Sequence, residues 1–121
     1  MSSKMSSWSK NNFAHTFMSF KKERLEEIVR DYAARFFSLY SNRTSMITVT
    51  RVAANDKGNL ATVYLTVFPE TQEEAAIDFA KRNRSDFRAF VRYNAKLMRT
   101  PFFDFEIDRG EKARQKLDAT L

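Results

Sequence analysis

Met46-Ile47-Thr48-Val49-Thr50-Arg51-Val52 and Leu60-Ala61-Thr62-Val63-Tyr64-Leu65-Thr66-Val67-Phe68 decide how this chain folds. Both runs are rich in β-branched residues, and their apolar side chains recur with a period of two, the repeat of a half-buried strand. Between them lies Asn55-Asp56-Lys57-Gly58-Asn59. Two such runs joined by an Asn/Asp/Gly loop predict a β-hairpin, and the loop length calls for more than a two-residue turn. Pro69 ends the second run, because proline has no N–H to give to a sheet ladder. The strand phase puts Ile47, Val49 and alternate residues of 61–68 beneath the helices.

Upstream, the period is that of a helix. From Phe20 to Tyr40, Leu25, Ile28, Val29, Tyr32, Phe36 and Leu39 share one face, with Glu26, Glu27, Arg30, Asp31 and Ser38 opposite. Glu23, Glu26 and Glu27 sit near the start, where the helix dipole favours acids. Residues 1–19 differ: six are Ser and none is acidic, which reads as a flexible basic tail. A cleaved organellar targeting segment is the rival reading, weakened by the absence of Arg there.

Downstream of the hairpin, Thr71-Gln72-Glu73-Glu74 has the form of a capping box opening a helix to about Arg82, with Ala76, Phe79 and Ala80 packed. Asn83-Arg84-Ser85 interrupts it as an interhelical kink. Ser85 is expected to cap a further helix from Asp86 to about Arg99, with an apolar side of Phe87, Phe90, Val91, Leu97 and Met98. Pro101 ends it, since the residue before proline avoids helical geometry. From Phe102 to Asp108 the period is two again: Phe103, Phe105 and Ile107 point one way, Asp104, Glu106 and Asp108 the other. Gly110 reads as a break, followed by a short helix from Glu111 to Leu121. The order is α-β-β-α-α-β, an α+β domain over 20–109 with the helices packed on one face of a three-stranded sheet, and residues 110–121 as a short C-terminal helix or tail.

Composition excludes several chemistries. With 121 residues, one domain is expected. No Cys means no disulfide framework, no thiolate nucleophile and no Cys-based metal site. A single His, His15, cannot build a multi-His centre, and two glycines cannot form a phosphate-cradling Gly-rich loop. No apolar run exceeds three residues, far short of a membrane span. No catalytic residue, cofactor site or metal site is assigned.

What remains is charge. The chain carries 21 Lys and Arg against 15 Asp and Glu, a net +6. Residues 81–99 contain seven bases (Lys81, Arg82, Arg84, Arg88, Arg92, Lys96 and Arg99) and one acid, Asp86, so this segment holds a charge equal to that of the whole chain. On a helix, Arg84, Arg88, Arg92, Lys96 and Arg99 make one stripe clear of the apolar face and free of intrahelical acids. A row of long cationic side chains suits a phosphate backbone. An ordinary basic surface, or bases paired with acids from elsewhere in the fold, is the plainer alternative. Asp104, Glu106 and Asp108 share a strand face, but steps of about 6.6 Å are too long to chelate one ion unaided. The aromatic set of Phe36, Phe37, Phe68, Phe79, Phe87, Phe90, Phe103 and Phe105 reads as core. Tyr64 and Phe68 are the sheet-face alternatives for base stacking.

Several strings resemble bacterial ribosome-binding factor A: Phe20-Lys21-Lys22-Glu23-Arg24-Leu25 at the first helix, the hairpin strands quoted above, and Arg99-Thr100-Pro101-Phe102-Phe103-Asp104-Phe105-Glu106-Ile107-Asp108 at the last strand, the most specific of them. The resemblance spans roughly 20–110 and implies a type II KH-like fold without the G-x-x-G loop of RNA-clamping KH modules. It implies a non-enzymatic, cytoplasmic, monomeric assembly factor that binds the small (30S) ribosomal subunit and precursor 16S rRNA and assists late subunit maturation, with no membrane or small-molecule partner. Two departures stand out. Asn83-Arg84-Ser85 replaces the family's Ala-x-Gly kink, and Lys57-Gly58-Asn59 intervenes between Asp56 and Leu60 where the family has an Asp-Leu pair. A general KH-like single-stranded RNA-binding module, and a protein-interaction module using the basic helix, are the alternative functions.

Overall fold

The computed structural model describes residues 21–41 and 45–120. The expected tail at 1–19 lies outside them. Helix α1 covers residues 21–38. Strands β1 (Met46–Ala54) and β2 (Leu60–Phe68) follow, then a 3₁₀ turn (Glu70–Gln72), helices α2 (Glu73–Arg82) and α3 (Arg84–Ala95), strand β3 (Phe102–Ile107) and helix α4 (Arg109–Thr120). The sheet order is β1-β2-β3, antiparallel between β1 and β2 and parallel between β2 and β3.

The period-two reading of the hairpin holds. Ala61, Val63, Leu65 and Val67 of β2 are buried, as are Phe103 and Phe105 of β3, while Ile47 and Val49 are half-buried against the same core. Phe68 falls on the opposite parity and is exposed, so it does not belong to the core. The five-residue loop closes through the Asn55 side chain, whose Oδ1 accepts from the backbone N–H groups of Asn59 (3.0 Å) and Leu60 (3.2 Å). Gly58 adopts φ +70°, the left-handed region where a Cβ is costly, and its N–H donates to the Asn55 carbonyl. Register shifts between Val49 and Arg51, a bulge at Thr50.

Helix α1 buries Val29, Ala33, Phe36 and Phe37 against the sheet. Leu39 was expected on that face but is 74% exposed, because the helix ends first. The Leu39 N–H bonds the Phe36 carbonyl in a tightened last turn that swings its side chain outward. Phe87 meets Phe103 edge-on (ring centres 4.7 Å apart), and Phe37 meets Phe105 (5.4 Å). Such pairs contribute about 0.5–1.5 kcal/mol each beyond the area they bury.

The capping box does not form. Pro69 leads into the 3₁₀ turn, so Thr71 already lies within a turn and Gln72 occupies the position before α2, with no side-chain cap. Ser85 is not a cap either. Asn83 precedes α3, and Arg84 and Ser85 lie inside the helix, so a single residue makes the joint. The backbone ladder runs nearly through it. The Asn83 N–H donates to Phe79 and Ala80, its carbonyl accepts from Phe87, and its Nδ2 donates back to the Phe79 carbonyl at 2.8 Å. That last bond ties the side-chain amide to α2, and no side-chain cap is made to α3.

Helix α3 stops at Ala95, four residues before the expected end. Lys96 takes the left-handed conformation at φ +52°, Leu97 turns back against the core, and Thr100 and Pro101 are buried. Met98, expected on the apolar side, is consequently fully exposed at 103%.

Gly110 is not a break. Asp108, expected to face solvent beside Asp104 and Glu106, is 7% exposed and caps α4: its Oδ1 accepts from the Glu111 N–H at 3.0 Å. Its Oδ2 accepts from the Thr50 hydroxyl at 2.7 Å, and the Arg51 Nε lies at 3.4 Å. Thr50, the Glu111 amide and Arg51 together hold the carboxyl below the ordinary carboxylate range despite its burial. Helix α4 is anchored to the first residue of α2 by the Lys112–Glu73 ion pair (3.1 Å) and to the preceding 3₁₀ turn by Lys116–Glu70 (2.9 Å).

Candidate nucleic-acid interface

The seven bases of 81–99 divide into three groups. Lys81 and Arg82 end α2, exposed, with the Arg82 Nε 3.4 Å from the Asp78 carbonyl. Arg84, Arg88 and Arg92 are spaced by four on α3 and form a row. Lys96 and Arg99 leave the row, because the helix has ended: Lys96 sits at the left-handed terminus and Arg99 in the connection to β3. The five-residue stripe is therefore three residues on a helix plus two on a turn beyond its end.

The three arginines are not equivalent. Arg84 lies 3.7 Å from Asp104 of β3, a half-exposed pair of small energetic weight. Arg88 is half-buried, and its guanidinium brackets the chain entering β3, donating from Nε to the Pro101 carbonyl (3.1 Å) and from Nη2 to the Thr100 carbonyl (2.9 Å). Arg88 is thus free of intrahelical acids, as the spacing implies, but is held by backbone carbonyls from elsewhere in the fold. A helical stripe shows only partners along the helix, whereas these acceptors lie twelve and thirteen residues downstream. Arg92, Lys96 and Arg99 are exposed and make no ion pair among the described residues.

Between α3 and the outer edge of β3 runs a groove of about 520 Å³, with Arg84, Arg88, Arg92 and Ala89 on the helix wall and Phe102 and Leu60 on the sheet wall. Arg88 stands over the Phe102 ring, 4.3 Å from its centre. Leu60 and Phe102 are register partners. Phe102 had no role in the sequence reading, yet it shares its parity with Asp104 and Glu106, and that parity marks it as outward-facing. Of the acids on that strand side, Asp104 turns to Arg84 and Asp108 to Thr50, so they do not converge. Tyr64 is covered by the Arg51 guanidinium, 3.7 Å from the ring centre, which removes one face from stacking.

A three-stranded α+β sheet roofed by helices in the order α-β-β-α-α-β, with a basic groove and no G-x-x-G loop, defines a KH-like domain. The family model described as Ribosome-binding factor A matches residues 21–121, and the chain belongs to that family. Among solved structures, ribosome-binding factor A from Thermus thermophilus superposes with a TM-score of 0.64 at 23% identity, covering 73% of this chain and 97% of that one. A homology model of the Thermus thermophilus factor, fitted into a cryo-EM map of a 30S–RbfA complex, gives 0.59 at 21% identity, covering 74% and 92%. A Thermotoga maritima protein, a putative ribosome binding factor A, gives 0.54 at 16%, covering 73% and 83%. No curated protein matches at the significance these structures reach. Among the described residues, no helix is long and apolar enough to cross a membrane.

Proposed function

We propose that this protein is a cytoplasmic, non-enzymatic assembly factor that binds the small ribosomal subunit and its precursor 16S rRNA and assists late maturation of the subunit, acting as a monomer. The observation that carries the reading is the concentration of the chain's excess positive charge in one segment, residues 81–99: the Arg84–Arg88–Arg92 row, with the Lys96–Arg99 turn beyond its end and the Lys81–Arg82 helix end before it. Membership of the family supports the ribosome as partner, as does the complex into which the Thermus relative was fitted. The mechanism is electrostatic and steric. The cations hold rRNA phosphates, release counterions, and favour the RNA conformation that fits the bound domain.

The test is cosedimentation with small subunits across a salt series. Arg92 and Arg99 are exposed and unpaired among the described residues, so Arg92→Gln/Arg99→Gln should weaken binding without altering the melting temperature. With about 0.7–0.9 lost from the log–log salt slope per phosphate contact, the double variant should flatten it by about 1.4–1.8. Unchanged affinity and slope would remove the basic cluster from the interface.

A further inference from the structure

Helix α4 rests on the domain through charge rather than apolar packing. From Arg109 to Asp118 no side chain is buried, so little apolar surface is removed from water to hold the helix in place. Its fixed point is Asp108, buried and bonded to the Thr50 hydroxyl. Beyond that point Lys112 reaches Glu73 (3.1 Å) and Glu70 (3.9 Å), and Lys116 reaches Glu70 (2.9 Å). The two lysines are four residues apart and share the side of the helix turned to the outer face of the sheet. Thr66 lies on that outer face by parity, yet is only 8% exposed. A cleft of about 410 Å³ runs between Lys112, Gln115 and Lys116 on one side and Met46, Thr48 and Phe68 on the other. Met46 and Phe68 remain largely exposed, so the helix spans the cleft without filling it.

We propose that α4 is an electrostatic strap. Closed, it seats Lys112 and Lys116 on Glu70 and Glu73. When RNA phosphates take those lysines it swings out about Asp108 and uncovers the outer sheet face at Met46, Thr66 and Phe68. The inference rests on the rRNA-binding reading and adds a conformational response to it. Three observations carry it. First, ion pairs this open to water are weak, so the closed and open strap differ little in free energy and a competing polyanion can decide between them. Second, α4 has 12 residues, one of them Gly110, and a helix that short is marginal once nothing holds it, so release of the lysines also melts the strap. Third, cations lead from the arginine row to it. Lys81 at the end of α2 and Arg109 at the start of α4 line one cleft of about 860 Å³ beside the second half of β3, so a phosphate backbone following the row past Arg84 arrives at α4.

Amide hydrogen exchange over residues 111–118 of the full chain reads the strap. Raising salt from about 0.1 to about 1 M cuts the screening length from about 10 to about 3 Å, and exchange there should quicken about threefold or more while β2 stays protected. Glu70→Gln/Glu73→Gln should do the same at low salt. Glu74→Gln/Asp78→Asn removes equal charge from acids that make no ion pair with α4 among the described residues, and should leave exchange unchanged. The first variant should also bind naked 16S rRNA more tightly than the second, because its lysines are already released. Lys112→Met/Lys116→Met should open the strap and bind more weakly. The chain has no cysteine, so spin labels placed through Thr48→Cys and Asp118→Cys are specific, and their separation should lengthen when 16S rRNA is bound. Exchange indifferent to salt and to the glutamate change would overturn the proposal. So would equal rRNA affinity in the two acid variants, undiminished affinity in the lysine variant, or a label separation that saturating rRNA leaves unchanged or shortens. Each of these leaves the basic-cluster reading standing. Failure of the unaltered protein to bind 16S rRNA or small subunits would overturn both readings.

Discussion

Replacing Arg88 by Met removes two hydrogen-bond donors and a charge while keeping an unbranched stem, and the structure sets the cost. The Nε and Nη2 groups bond the carbonyls of Pro101 and Thr100, both on buried residues. Hydrogen bonds from a charged donor contribute about 1.5–3 kcal/mol, and a buried carbonyl left without its partner costs about 1–3 kcal/mol. The arginine–Phe102 contact adds about 0.5–1 kcal/mol. These contributions overlap, and half-exposure lets water replace part of each, so about 2 kcal/mol is the expected loss. For an ordered domain of this size that lowers the melting temperature by about 8–16 °C. Arg88→Lys keeps the charge but cannot reproduce the planar fork, so it should lose much of the same stability while retaining more RNA binding than Met. The assay pairs a thermal melt with urea unfolding. If Arg88→Met melts within about a degree of the unaltered protein, the bracket carries no weight and Arg88 returns to the class of free surface cations.

Two further outcomes follow from local geometry. Lys96 holds a left-handed conformation that strains any residue with a Cβ, so Lys96→Gly should raise stability by up to about 1 kcal/mol in urea unfolding while weakening subunit binding through the lost charge. Asp108 has its carboxyl held below the ordinary range by Thr50, the Glu111 amide and Arg51, so the proton binds more readily once the chain unfolds. Its contribution is therefore fully present above the unfolded value of about 3.9 and is lost as pH falls through the lower folded value. Asp108→Ala should cost about 1–2 kcal/mol at neutral pH, and an acid titration followed by circular dichroism should show a shallower loss of stability below about pH 4 than in the unaltered chain.

Strand phase was legible because a period of two leaves no freedom: once Val63 and Leu65 face the core, Tyr64 cannot. The hairpin loop was legible because Asn55 and Gly58 are suited to the backbone shapes it needs. Helix ends were harder. A Ser or Thr caps only if its own backbone lies outside the helix, and here the preceding turn decides that: the 3₁₀ turn after Pro69 takes in Thr71, and Asn83 continues the ladder far enough to place Ser85 inside α3. The end of α3 carries no Gly, and it is Leu97 returning to the core that stops it, which no helical wheel displays. The charge cluster was visible in the composition of 81–99, but the inequality of its arginines depends on Thr100 and Pro101, brought to Arg88 by the fold. Phe102 could have been found from parity alone, because the alternation that buries Phe103 turns its predecessor outward.

The single-residue joint at Asn83 has a mechanical consequence. With hydrogen bonds continuing across it, α2 and α3 move less like two hinged rods than like one bent lever, and the short arm of that lever rests on the methyl groups of Ala76 and Ala80, both buried. Those methyls act as the fulcrum that sets how far the long arm, with its three arginines, stands from the edge of β3. A bulkier residue at either alanine would lift the short arm and reset the clearance of the groove at a distance. The opening is therefore gauged by two of the smallest side chains in the domain, and it can be widened or narrowed with every charge left in place.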